Sequence, residues 1–360
     1  MRKFLRTEIS PPPLKRQRRH DCERQLLPGT APTLSTRPVT ALEGGQLRIF
    51  TWNVNGVQPF LQPPIDSYFA PSSPESDASP EHSAPVSDLR SCLRRWKWPQ
   101  VVCLQEVKIA AGDAKTQHAL RKAVMAPAGS GLPSYDIVYS LPRDRFNARG
   151  LGGTGRVHGV ATLVRRDVFE QYKTENEVPR TGTVEWDLEG RITTLSLPRP
   201  RLVVINIYAV NANDRPYRDP KLGSVVGTRH DFKRTVHARL RDMIAGYEAR
   251  GWSAVVAGDL NIARGSLDGF PGIRLAPVHV DHRRDFAEKF MAPRGEGGLA
   301  MCDSFRHLHG AERKYTFRKR HKKLTSLWRL RKPFFLFESQ SRTRLGLNRR
   351  PPEGFTIVPA

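Results

Sequence analysis

Cysteine is scarce in this 360-residue chain, with four in all: Cys22, Cys92, Cys103 and Cys302. None has metal-ligand spacing and no disulfide framework is suggested, so a reducing compartment is expected. The clustered His and Cys of a zinc site are missing too. No apolar run reaches the ~18 residues that a spanning helix needs, so no membrane association is expected. The start has no apolar core of a secretion signal. Acid is thin, with 35 Asp and Glu against 59 Lys and Arg, a formal net charge of +24. Such an excess favours a polyanionic partner and says nothing about fold.

The charge is unevenly spread. Residues 313–350 hold 14 Lys and Arg against one acid, Glu338, and no aspartate follows Asp303. Residues 1–46 are rich in Pro, Arg and Thr without periodicity and read as a disordered basic arm. Within it Lys15-Arg16-Gln17-Arg18-Arg19 fits a nuclear-import patch. The basic start from Met1 to Arg6 makes a mitochondrial address the alternative. Residues 62–87 form a Pro/Ser/acid-rich insert. Gly150-Leu151-Gly152-Gly153-Thr154-Gly155 lacks a following Lys-Ser/Thr and reads as a mobile loop rather than a phosphate cradle.

Between these stretches, apolar runs end repeatedly in a polar residue. Leu47 to Val57 alternates and carries Asn53 and Asn55 on one expected face. Val101 to Leu104 leads into Gln105-Glu106, and Leu202 to Tyr208 leads to Asn211. Ala254-Val255-Val256-Ala257 ends in Gly258-Asp259-Leu260-Asn261, with Asp259 and Asn261 expected to point the same way. Helices are expected at about 88–98, 113–125, 229–250 and 283–290. Each polar tip alone is an ordinary strand cap. Several together suit strands converging on one crevice, and their all-oxygen chemistry suits hard Mg²⁺, with Mn²⁺ as the alternative.

At these residues the chain resembles the exonuclease III-like apurinic/apyrimidinic (AP) endonucleases of the endonuclease/exonuclease/phosphatase superfamily. The matching words are Thr51-Trp52-Asn53-Val54-Asn55-Gly56, Leu104-Gln105-Glu106-Val107-Lys108, Ile207-Tyr208-Ala209-Val210-Asn211 and Gly258-Asp259-Leu260-Asn261, followed by Asp303-Ser304-Phe305-Arg306 and Tyr315-Thr316-Phe317. Tyr208 favours this branch over the phosphatase and DNase I branches, which generally have histidine there.

The resemblance implies an α/β fold: a four-layer sandwich of two packed mixed β-sheets flanked by helices. It also implies Mg²⁺-dependent cleavage beside abasic sites in double-stranded DNA by a monomeric base-excision-repair nuclease. Asn53, Glu106, Asp259 and Asn261 would hold the metal. Tyr208, Asp259 and Asn261 would act in catalysis. Asn55, Asn211, Arg145 and Arg149 would bind the substrate.

The resemblance spans residues 47–317. The family's following Arg-x-Asp-Tyr-like strand and closing Ser-Asp-His do not appear in residues 318–360. The expected division is therefore an arm at 1–46, a catalytic-type domain at 47–317 and a divergent basic tail. Two edge strands should be missing, leaving the second sheet incomplete. A frame change or retained intron would produce such a tail. The alternative is that Trp328 to Phe337 supplies a replacement strand.

Overall fold

The computed structural model describes residues 47–61, 88–148, 158–270 and 272–313, and the backbone of 317–319, 328–330, 333–338 and 355–359. The basic arm, the 62–87 insert, Arg149, the Gly150–Gly155 loop, Tyr315-Thr316 and much of the tail lie outside the described residues.

Strand β1 (Leu47–Asn53) leads to helix α1 (Asp88–Arg95), β2 (Val101–Gln105) and α2 (Ala114–Val124), the last capped by the Asp113 carboxylate. Strands β3 (Tyr135–Ser140) and β4 (Val160–Arg165), helix α3 (Asp167–Gln171) and β5 (Arg180–Thr183) follow. Strands β6 (Ile192–Leu197) and β7 (Leu202–Tyr208) precede a hairpin, β8 (Pro216–Arg218) and β9 (Val225–Thr228). Thr228 and Asp231 close a capping box that starts α4 (Arg229–Ala249). After β10 (Ser253–Asp259) and β11 (Gly269–Phe270) come α5 (Pro277–Phe286), β12 (Met301–Asp303) and α6 (Ser304–His309). The tail contributes β13 (Phe317–Lys319), β14 (Trp328–Leu330), β15 (Pro333–Glu338) and β16 (Phe355–Pro359).

One mixed sheet has the order β16-β1-β2-β4-β3, the other β12-β15-β10-β7-β6-β5. Alternation along the strands then builds the layers. Leu47, Ile49, Val101 and Cys103 meet Leu202, Val204, Val255 and Ala257 between the sheets. Phe50, Val102 and Leu104 turn the other way, onto Leu89 and Leu93 of α1 and Leu120 and Val124 of α2. Val203, Ile205, Ala254 and Val256 likewise turn onto Leu240 and Ile244 of α4 and Phe286 of α5. The expected helix–sheet–sheet–helix order is therefore present.

The tail enters both sheets. β15 runs antiparallel beside β10, with Val255 opposite Phe337 and Asp259 opposite Pro333. β16 runs parallel to β1. This matches the replacement-strand alternative, although the second sheet stays short on that side, where β12 has only three residues.

Candidate active site

The face of each strand that points between the sheets is apolar for two or three rungs and then turns polar. On β1 the series is Leu47, Ile49, Thr51, Asn53; on β10 it is Val255, Ala257, Asp259. In-register pairing sets Asn53 beside Gln105 and Asp259 beside Tyr208. Polar groups therefore gather at one end of the sandwich.

The deeper rung is a hydrogen-bonded network in which Gln105 Oε1 has no partner among the described residues. Gln105 Nε2 donates to Thr51 Oγ1 at 3.0 Å and to Asn206 Oδ1 at 2.8 Å. Asn206 Nδ2 donates to Thr162 Oγ1 at 3.0 Å, and Thr162 and Thr193 share a 2.7 Å hydroxyl contact. Every one of these side chains is buried, so each bond answers a desolvation cost of about 1–3 kcal/mol.

The outer rung holds the predicted residues. Asn53 Nδ2 donates to Glu106 Oε1 at 2.8 Å and to Asp259 Oδ2 at 3.0 Å. One amide thus ties two carboxylates from different sheets, and Glu106 and Asp259 lie within reach of one point. Asn53 Oδ1 accepts the Asn55 N–H at 3.1 Å. Asp259 Oδ1 accepts the Asn261 N–H at 3.0 Å, and Asn261 Nδ2 donates to Ala209 O at 2.8 Å. Lys108 Nζ donates to Asn55 Oδ1 and lies 3.8 Å from Glu106 Oε2.

Asn55 and Asn261 reach the site by turning rather than by strand alternation, since β1 ends at Asn53 and β10 at Asp259. Asn55, Glu106, Lys108 and Asn261 all have left-handed backbones, with φ of 53°, 53°, 54° and 48°. Non-glycine residues rarely adopt this conformation, and they concentrate where a side chain must be aimed.

Burial opposes the charge on Glu106, but His158, Asn53 and Tyr208 outweigh it and hold the carboxyl down at about 2. Burial, reinforced by the Glu106 charge, pushes the Tyr208 phenol well above its usual range. Tyr208 is therefore a neutral donor and Glu106 an anion at neutral pH.

Among the described residues, no group of three or more His, Cys, Asp or Glu is arranged as a metal cage. Two carboxylates around one amide still fit a hard cation that keeps several waters. Asn53 turns its nitrogen to the carboxylates and its oxygen to the Asn55 N–H, which leaves that oxygen a second lone pair for a cation. Asn211 and Arg145 are exposed, and none of the described hydrogen bonds joins them to the cluster.

Three residues here were not singled out from the sequence. Arg191 is buried, donates to Tyr208 O at 3.0 Å and sets its guanidinium 5.2 Å from the Tyr208 ring centre. Glu189 holds Arg191 at 2.6 Å and also accepts from Arg229 at the start of α4. His158, just before β4, lies 3.8 Å from Glu106 and 5.1 Å from the Tyr208 ring.

A family described as Endonuclease/Exonuclease/phosphatase matches residues 50–317. The chain is 24% identical over 286 residues to the Mus musculus DNA-(apurinic or apyrimidinic site) endonuclease 2, covering 73% of this chain and 48% of that protein. To the Homo sapiens protein of the same name it is 22% identical over 279 residues, covering 73% and 46%. The chain thus spans about half the length of the curated relatives it matches. Among solved structures, an AP endonuclease from Leishmania major superposes with a TM-score of 0.51 at 19% identity, covering 81% of this chain and 78% of that one. That likeness is one of fold.

Proposed function

This chain belongs to the Endonuclease/Exonuclease/phosphatase family, and on that premise we propose that it is a divalent-metal-dependent nuclease cutting DNA at abasic sites. The observation that carries the reading is the joining of Glu106 and Asp259, from two sheets, through the Asn53 amide.

Glu106 and Asp259, with oxygens of Asn53 and Asn261, would hold Mg²⁺ or Mn²⁺. When bound, the cation polarises a phosphoryl oxygen and offsets developing charge. The residues supply the rest. Asp259 would orient the attacking water and take its proton, with its oxygens fixed by Asn53 and Asn261. The neutral Tyr208 phenol would donate to a phosphate oxygen where charge accumulates, and Asn211 would donate beside it. Asn55, Arg145 and Arg149 would contact the DNA backbone, which fixes register without reading sequence. Action as a monomer on double-stranded DNA, a place in base excision repair and a nuclear location complete the proposal.

The test is nicking of a duplex with one abasic site, with Mg²⁺ and after chelation, using Asp259→Ala as control. Metal-dependent nicking that Asp259→Ala abolishes supports the proposal. Nicking that survives chelation or the Asp259 change refutes it.

A second reading, a DNA-binding homologue without catalysis, is favoured by two observations. Asp259 is fully buried, and Lys108 and His158 flank the carboxylate that would bind the cation. Salt-sensitive duplex binding without nicking would select it.

A further inference from the structure

We propose that His158 is a substrate-contacting donor of this site, its ring N–H meeting a non-bridging oxygen of the phosphate to be cut. The proposal rests on the nuclease reading above.

The backbone fixes the ring's place. His158 O accepts the Lys108 N–H at 2.7 Å, and Gly159 O accepts the Val107 N–H at 3.1 Å. The segment that carries the imidazole is thus bound to the one that carries Glu106. Gly159 has φ of 68°, and a Cβ there would lie 3.1 Å from Val107 and 3.2 Å from Leu141.

The ring has two unlike edges. Nδ1 is buried, has no hydrogen-bond partner among the described residues, and lies 3.8 Å from Glu106 Oε2. That distance is an electrostatic contact and too long for a hydrogen bond. Nε2 is not among the buried unpartnered atoms and makes no described hydrogen bond, so it is open to solvent. The side chain as a whole is 43% exposed. The imidazole therefore rests with one edge packed between Glu106 and Tyr208 and turns Nε2 outward. The role places the ring proton on Nε2, since a neutral imidazole has one donor nitrogen; such a donor beside the Tyr208 phenol suits an oxyanion, whose charge grows as the phosphoryl group is attacked. No bond forms or breaks at the imidazole.

A purely structural role, a spacer that props Glu106, would act through Nδ1. The glutamine amide nitrogen reaches the position of Nε2, and the asparagine amide nitrogen that of Nδ1. The experiment compares wild type with His158→Ala, His158→Gln and His158→Asn on the abasic duplex, in variants whose melting matches wild type. His158→Ala should lower kcat about 100-fold, as loss of one preorganised donor does, with KM moved by less than about threefold. His158→Gln should recover about tenfold or more of that loss, and His158→Asn should recover none. Unchanged kcat in His158→Ala overturns the proposal, as does rescue by asparagine but not by glutamine. If wild type nicks and only Asp259→Ala is dead, this assignment alone fails. If wild type does not nick with either Mg²⁺ or Mn²⁺, the nuclease reading and this assignment fail together.

Discussion

Replacing Gly258 by alanine touches no group in the proposed chemistry, yet it should disable the site. Gly258 pairs with Ile207, so the next rung is Asp259 beside Tyr208. Its φ is 149°, and an added Cβ would fall 2.0 Å from Ile207 O and 2.9 Å from the Ile207 carbonyl carbon. Non-bonded heavy atoms settle near 3.5 Å, so β7 and β10 would have to part by ~1 Å or more. Overpacking of this kind costs about 1–3 kcal/mol, and a strained φ adds about 1–3 kcal/mol. For a domain of this size each kcal/mol is worth about 2–4 °C, so melting should drop by roughly 5–15 °C. A ~1 Å displacement of a catalytic group costs about 10²-fold in rate. Urea unfolding followed by circular dichroism reads the first effect. Nicking kinetics well below the melting point read the second. A stability loss under about 1 kcal/mol, with the rate retained, would show that the strands do not need that close approach.

Three other changes address separate parts of the structure. Arg191→Met leaves Glu189 with Arg229 as its remaining cation. Breaking a buried pair from one side should cost about 3–5 kcal/mol by urea titration, and a neutral result would mean the pair is not dry. Burial, with Lys233 adding, pushes the His282 imidazole down to about 4, and burial does the same for His237. Both are neutral when folded, so the unfolded chain takes up protons first. Their stabilisation is complete above about pH 6.5 and is lost as pH falls toward 4. His282→Gln should flatten that part of a melting-temperature profile, and a parallel profile would refute the assignment. Arg145→Gln should weaken duplex binding about equally for all sequences and lower the salt slope by about 1. An unchanged slope in anisotropy titrations would place Arg145 off the DNA path.

What the sequence revealed follows from what periodicity can carry. Asn53, Glu106, Tyr208 and Asp259 stood out because each ends an apolar run, and strand ends on one sheet face must meet. Alternation puts Asn55 and Asn261 on those faces, whereas left-handed turns deliver them. Periodicity does not encode a turn. Arg191 and Glu189 gave no signal, since an isolated Arg and Glu read as surface until pairing makes them buried. His158 was hidden in the run into β4, where nothing local indicates that Glu106 lies 3.8 Å away. The hairpin at Pro216–Thr228 leaves no mark in periodicity because it exposes Leu222, Val225 and Val226, the reverse of a buried strand. The missing Ser-Asp-His ending says nothing about strand pairing: β15 and β16 pair through their backbones, which need no particular side chain.

The network through Gln105, Asn206, Thr51, Thr162 and Thr193 has a mechanical meaning. Apolar contacts between the layers resist sliding by shape, since their side chains interdigitate, but individually they have no preferred direction. Hydrogen bonds do have one, and a slip of a single residue would misalign all of them at once. The two halves of the molecule are therefore keyed at one end like a dovetail joint, and the outer rung inherits its alignment from that joint.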